Sequence, residues 1–231
     1  MRVLVVNWKD LSHPRAGGAE VYTEEVARRL ARRGHEVELF CASFPGAAPR
    51  EERGGVRITR AGGRLGVYRE AARHLRSAKA DVIVDEVNTR PFFAHRHARG
   101  TPVVALVHQL AREFWFYETP LPVALAGRFV LEPAWLRALR HLPTVTVSRS
   151  TADDLRALGY RDVTVVHNGV DAPPHAPAKD DAPRLAFVGR LTAAKRPLDA
   201  VEAFARVRAR PARAGRGPRR RRAPAPPAAR G

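Results

Sequence analysis

Short apolar runs alternate with segments of helical spacing along most of this chain. The runs at residues 2–6, 36–42, 81–87, 102–107, 144–147 and 163–166 are rich in Val and too short to be helices. Such runs fit strands buried on both faces of a sheet. Between the first two, Ala19, Tyr22, Val26 and Leu30 recur at helical spacing among Glu and Arg residues, and Gly34 follows as a stop. Strand and helix alternating in this way over residues 1–170 predict right-handed crossovers and an α/β, Rossmann-like, doubly wound parallel sheet.

The pattern lapses after Asn168-Gly169-Val170-Asp171. Residues 171–183 include APPHAPAKDDAP, with four prolines and no periodicity, and are read as an interdomain linker. It then restarts: residues 184–188 (RLAFV) predict a strand, Gly189-Arg190-Leu191 a turn, and residues 196–209 an amphipathic helix. Residues 184–209 thus form the start of a second Rossmann-like domain. The stretch 210–231 has no aliphatic residue larger than Ala and is expected to be a disordered Arg/Pro/Ala-rich tail.

Charge changes this picture little. The net charge is +18, which by itself suggests nucleic acid or an anionic membrane, but eight of the arginines lie between Arg210 and Gly231, where there is no acid. No nucleic-acid motif accompanies the charge, so no specific nucleic-acid partner is expected. The single cysteine, Cys41, excludes an internal disulfide and reads as a buried, inert thiol. The N-terminus reads as a first strand and not as a signal peptide, and no apolar run approaches the roughly 20 residues of a membrane span. A cytoplasmic protein is expected.

Three places carry candidate chemistry. Ala16-Gly17-Gly18-Ala19-Glu20 stands between the first strand and its helix, where glycines permit close backbone approach and the helix N-terminus favours an anion such as phosphate. It is not the GxGxxG dinucleotide fingerprint, and a plain turn is the competing reading. The preceding loop, NWKDLSHPRAGG, is longer than a turn requires, which favours binding. His108 closes the strand VVALV, so it either points into the crevice at the carboxyl ends of the strands or bonds to a loop carbonyl. Last come His167-Asn168-Gly169-Val170-Asp171 and, beyond the linker, Gly189-Arg190-Leu191 with Lys195-Arg196. Here two cations, Arg190 and Lys195, could neutralise a diphosphate, or form a solvated basic turn. The facing carboxylates of a glycoside hydrolase and the glycine fingerprint of a dehydrogenase are not visible.

The ordered set HPRAGGAE, RRLARRGHEVELF, VHQ, VTVSRSTADDL, VHNGVD and VGRLTAAKRPLDAVEAF resembles the retaining glycosyltransferases of family 4, over residues 1 to about 209. The resemblance implies the two-Rossmann-domain (GT-B) fold, with residues 1–170 on the acceptor side and the second domain holding a nucleotide sugar. No cofactor and no metal are implied. Gly17 and Gly18 would approach the donor diphosphate, His108 would lie near the transferred sugar as the catalytic candidate, Arg190 and Lys195 would clamp the phosphates, and Asn168 and Gly169 would line the cleft. The acceptor would be a sugar or a lipid-linked sugar. Residues 111–142, with four successive aromatic positions near their start, could then rest on the inner membrane leaflet, or pack as a helix pair on the sheet. Family members carry two Glu separated by seven residues further along, whereas no acid follows Glu202 here. The second domain is accordingly expected to be incomplete, through truncation or a frameshift, and the chain to turn over sugar negligibly by itself. Acceptor or partner binding without catalysis is the alternative.

Overall fold

A computed structural model describes residues 1–171, 184–189 and 191–209. The chain divides into two units, Met1–Pro174 and His175–Gly231. Eight strands form one sheet in the first: β1 (Arg2–Val6), β2 (Glu36–Cys41), β3 (Arg50–Arg53), β4 (Val56–Arg60), β5 (Val82–Val87), β6 (Val103–Val107), β7 (Thr144–Thr146) and β8 (Val163–Val165). Their order is β3-β4-β2-β1-β5-β6-β7-β8. All neighbours are parallel except β3 and β4. The helices of this unit are α1 (Gly18–Arg32), α2 (Val67–Ser77), α3 (Phe114–Glu118), α4 (Leu121–Ala126), α5 (Glu132–Leu139) and α6 (Arg149–Ala157), and a π-helical stretch, Gly127–Leu131, joins α4 to α5.

The six apolar runs all became strands within a residue or so of their expected ends, and the fold is the Rossmann-like α/β sheet they predict. The hairpin of β3 and β4 is a correction to an all-parallel sheet. Arg50-Glu51-Glu52-Arg53 is an edge strand whose charged side chains mask it, and the turn is made by Gly54 and Gly55, both at positive φ as a tight hairpin requires.

The period-two alternation of the central strands divides the core between two faces. Val3, Val5, Val37, Leu39 and Ile58 pack with Ala27 of α1 on one face. Leu4, Val6, Phe40, Ile83, Ala105 and Val107 pack with Ala71 and Leu75 of α2, Leu139 of α5 and Leu155 of α6 on the other. Helix α1 ends as its sequence predicts: Arg33 caps it and Gly34 turns away at φ 84°. Cys41 is wholly buried and its thiol is pushed up to about 12 by burial, so it is inert at neutral pH.

In the second unit the expected helix is present as α7 (Pro197–Ala209), preceded by a 3₁₀ turn, Ala193–Lys195. The expected strand is not: residues 184–188 join no ladder. An apolar run becomes a strand only where neighbouring strands satisfy its backbone, and none is present among the described residues of this unit. Arg190, nearly all of the linker and the whole 210–231 tail lie outside the described residues.

Candidate functional site

Because the chain steps outward from β1 to β2 and β4 on one side, then returns to β5 and steps outward again through β6 to β8, the order of strands reverses between β1 and β5. In open α/β sheets the crevice beyond the carboxyl ends of the strands at such a point is where ligands bind. The loop leaving β1 carries Asn7 to Gly17. The ends of β5 and β6 carry Asn88 and His108 beside it. Asn88 Nδ2 donates to Asn7 Oδ1 at 2.6 Å, closing the seam between the two halves of the sheet. Asn7 is fully buried, yet its Nδ2 has no partner among the described residues. A buried donor left this way at a sheet's functional edge is a candidate for bonding to a ligand or a water.

Gly17 and Gly18 open α1 at this edge. The backbone N–H of Gly17 donates to Glu20 Oε2 at 2.6 Å, so the first donor of the helix is taken by the chain's own carboxylate. Glu20 is itself buried and balanced by Lys9 Nζ at 3.1 Å. Lys9 also donates to the carbonyl of Arg15 at 2.9 Å, cinching the loop. Gly18 differs: a Cβ built there meets nothing within 4 Å. The next N–H groups of the helix have no carbonyl one turn behind them, so they remain donors without an intrahelical partner.

His108 does not bond to a loop carbonyl. Its Nε2 lies 3.2 Å from Oε1 of Glu86, the buried penultimate residue of β5, and its ring meets that of Tyr22 edge-on at 5.1 Å. Thr23 Oγ1 donates to the other oxygen of Glu86 at 2.6 Å. Thus α1 meets the end of β6 twice one turn in, Tyr22 by its ring and Thr23 through the Glu86 carboxylate, and His108 shares an edge with the glycines. Burial raises the Glu86 carboxyl above its ordinary range, and the bonds from His108 and Thr23 oppose that. With Glu86 ionised, His108 presents Nε2–H to it and keeps Nδ1 as an acceptor. Burial, with the Glu86 carboxylate adding to it, likewise raises the Tyr22 phenol.

A second set of charges anchors the β1 loop. The Asp10 side chain is fully buried, paired with Arg60 and with Arg53 at 3.0 Å, and Arg53 also reaches Glu24 at 3.2 Å. Asp85 points to the opposite face from Glu86, accepting the N–H groups of Phe92 at 3.1 Å and Ala94 at 2.9 Å. Burial pushes it up to about 6 despite those bonds. None of these carboxylates was singled out from the sequence. The available signal was Asp85-Glu86 inside an otherwise apolar strand, where a charge must be bonded to persist.

Other expected residues stand apart. Asn168 and Gly169 follow β8 at the far edge of the sheet and are exposed, and the neighbouring His167 Nδ1 bonds the carbonyl of Val147 at 3.1 Å. No contact among the described residues joins them to His108 or the glycines. Lys195 ends the 3₁₀ turn of the second unit and is exposed. Among the described residues no group of acidic, His or Cys side chains is arranged to hold a metal ion, and no helix is long and apolar enough to cross a membrane.

Residues 111–142 fold as α3 to α5 around one carboxylate. Buried Glu132 accepts the N–H groups of Ala111 at 2.6 Å and Arg112 at 2.9 Å, and Trp115 Nε1 at 3.1 Å. The inward line of α4 and the π stretch is made of small residues, Ala124 and Gly127, so the large ones point out. Leu121, Val123, Phe129 and Val130 are among the exposed apolar side chains, all but Val123 above 60%.

Comparison with known proteins agrees with this architecture. Residues 16–172 match the family model described as Glycosyltransferase Family 4. No curated protein sequence matches the chain. Among solved structures the fold is similar to that of sucrose-phosphate synthase from Thermosynechococcus elongatus, with a TM-score of 0.56, 14% identity, and coverage of 74% of this chain and 48% of that one. The chain therefore spans about half the length of that protein.

Proposed function

Because this chain belongs to glycosyltransferase family 4, we propose that it takes part in transferring a sugar from a nucleotide-diphosphate sugar to a sugar or lipid-linked acceptor, with retention and without a metal or cofactor. The observation that carries the reading is the open space over Gly18 at the head of a helix whose next turn is bonded, through Thr23 and Glu86, to His108. A diphosphate can approach a backbone only where no Cβ intervenes, and free helix N–H groups are the donors it seeks.

In this reading the glycosidic bond of the donor breaks with its electron pair leaving on the diphosphate, while the acceptor hydroxyl supplies the oxygen of the new bond and gives its proton to the departing diphosphate. Growing charge on the diphosphate is what the site must stabilise. Gly18 and the start of α1 offer N–H groups, and Arg190 and Lys195 are the cations assigned to the phosphates. His108, held by Glu86, offers Nδ1 to a hydroxyl of the transferred sugar, and Asn168 and Gly169, exposed after β8, are assigned to a more distant part of the cleft. The exposed apolar surface of α4 and the π stretch, with Arg128 beside it, supports peripheral contact with a membrane carrying a lipid-linked acceptor.

The test is calorimetric titration of the 231-residue chain with uridine, guanosine and adenosine diphosphates, followed by nucleoside diphosphate release from the matching sugars with and without acceptor. One diphosphate should bind, and Gly18→Ala should abolish binding without unfolding the protein. Absence of binding by every diphosphate refutes the assignment. Binding without acceptor-dependent release favours the alternative, a binding protein without turnover. Flotation with anionic liposomes at low salt tests the membrane contact, which is lost as a hypothesis if no protein floats.

A further inference from the structure

A groove of about 410 Å³ lies between the start of α2 and the loop leaving β5. Tyr68, Phe92 and Phe93 supply rings and Arg69, Arg90 and Arg96 supply guanidinium groups. The rings of Tyr68 and Phe92 are 4.9 Å apart. Arg90 lies over the Tyr68 ring at 4.2 Å and Arg96 over the Phe93 ring at 4.5 Å. Stacking fixes the plane of a guanidinium and leaves its edge N–H groups free for the paired oxygens of a carboxylate or phosphate.

No carboxylate lines the groove, and among the described residues none lies within ion-pair distance of Arg90 or Arg96. Arg69 reaches only Glu70, at 3.4 Å, and that carboxylate is shared with Arg73 at 2.6 Å. Among the described residues no ion pair neutralises Arg90 or Arg96; the carboxylate built into this wall, buried Asp85, is bonded to the backbone at Phe92 and Ala94. His97, also on the lining, has its imidazole held below its ordinary value chiefly by burial, then by Arg76 and Arg96.

One wall is also built under constraint. Phe93 sits at φ 53°, a left-handed conformation unusual for an aromatic residue, and the buried Asp85 carboxylate holds the N–H groups on either side of it. Trp8 Nε1 donates to the carbonyl of Arg64 at 3.2 Å and Asn88 bonds Asn7, so both walls adjoin the crevice at the β1 and β5 ends.

We infer that this groove seats the negatively charged group of the acceptor, a phosphate or carboxylate carried on a sugar ring that rests on the aromatic floor. The assignment to an acceptor rests on the transferase reading above; the capture of an oxyanion does not. The groove's size suits one sugar and its charged substituent.

The experiment is calorimetric titration of the full chain with glucose 6-phosphate, glucuronate and neutral glucose at low salt. At least one anion should bind, and glucose should bind at least tenfold more weakly. Arg90→Ala should weaken the anion about tenfold or more, as expected for loss of a charge-assisted bidentate contact. Arg90→Lys should recover only part, and Arg161→Ala, at an exposed position outside the groove, should change nothing. Arg96→Ala serves as the second variant should Arg90→Ala fail to fold. Co-sedimentation with phosphatidylcholine vesicles, with and without phosphatidic acid, separates the sources. Retention on phosphatidic acid that Arg90→Ala removes, without binding of the soluble anions, assigns the groove to a lipid headgroup phosphate. Anions binding no tighter than glucose, together with vesicle retention indifferent to Arg90→Ala, overturns the proposal. No donor enters these assays. Anion capture without any nucleoside diphosphate binding would remove the transferase reading and leave the groove assigned.

Discussion

Replacing Asp10 by Ala removes the carboxylate on which two guanidinium groups converge in the loop after β1. The Asp10 side chain is 0% exposed and that of Arg60 is 1% exposed, whereas Arg53 is 27% exposed. Removing one partner of a buried pair costs about 3 to 5 kcal/mol, because the remaining charge is left without compensation in a poorly polarisable interior. Arg60 would retain Glu51 at 2.7 Å and the carbonyl of Ala48 at 2.9 Å, and Arg53 would retain Glu24. That residual compensation places Asp10→Ala near the lower end, about 3 kcal/mol, equivalent to roughly 10 °C in Tm for a domain of this size. Urea unfolding followed by tryptophan fluorescence measures it. The double variant Asp10→Ala/Arg60→Met removes the orphaned charge as well and should be more stable than Asp10→Ala alone. A loss below about 1 kcal/mol, or a double variant less stable than the single, would show that the pair does not anchor the loop.

Three further outcomes are expected. The Asp85 carboxyl is raised from 3.8 to about 6, so its stabilising contribution is complete below about pH 4 and is lost as pH rises through 6; this is about 3 kcal/mol across the window, and Asp85→Asn should flatten the pH dependence of the urea midpoint there. Gly62→Ala should cost at least about 2 kcal/mol by the same measurement, because Gly62 sits at φ 67° and a Cβ would lie 2.5 Å from the carbonyl carbon of Gly66. Thr23→Val deletes a 2.6 Å bond to buried Glu86 and should cost about 1 to 3 kcal/mol, with the Glu86 carboxyl moving further up when followed by carbon-detected NMR titration.

The sheet was legible because its strands are buried on both faces and so spell themselves as continuous apolar runs. Residues 50–53 broke that rule: at the sheet's edge, Arg and Glu side chains reach water or one another while the backbone still pairs. The two glycines of its turn were present in the sequence, but no apolar strand stood before them to give them meaning. Residues 184–188 broke it in the other direction, having the composition of a strand without neighbours to pair with among the described residues. For the site, the topology rule alone placed Gly17, Gly18 and His108 on one edge, since each follows or closes a parallel strand. What holds His108 could not be read that way. Glu86 is 22 residues away along the chain, and meets it only because β5 and β6 pair in parallel with Glu86 beside Leu106.

The cations of this edge divide into two populations, and the division bears on how each ligand would be held. Lys9, Arg53 and Arg60 are committed to Glu20, Glu24, Asp10 and Glu51. They set the shape of the β1 loop, and little of their charge is left to attract an anion. The glycine loop therefore offers space and backbone N–H groups, with one of those already given to Glu20. Arg90 and Arg96 are stacked on rings and bear no carboxylate partner among the described residues, so of these two places it is the groove that offers side-chain charge to an anion. Two substitutions should then act independently. Gly18→Ala should leave glucose 6-phosphate binding intact while removing that of the nucleoside diphosphate, and Arg90→Ala should do the reverse. Added salt should weaken both ligands, the groove's through Arg90 and Arg96 and the nucleoside diphosphate's through the cations assigned to it, Arg190 and Lys195. If either substitution removes both ligands, the two places are one site and the division of charge has no functional meaning.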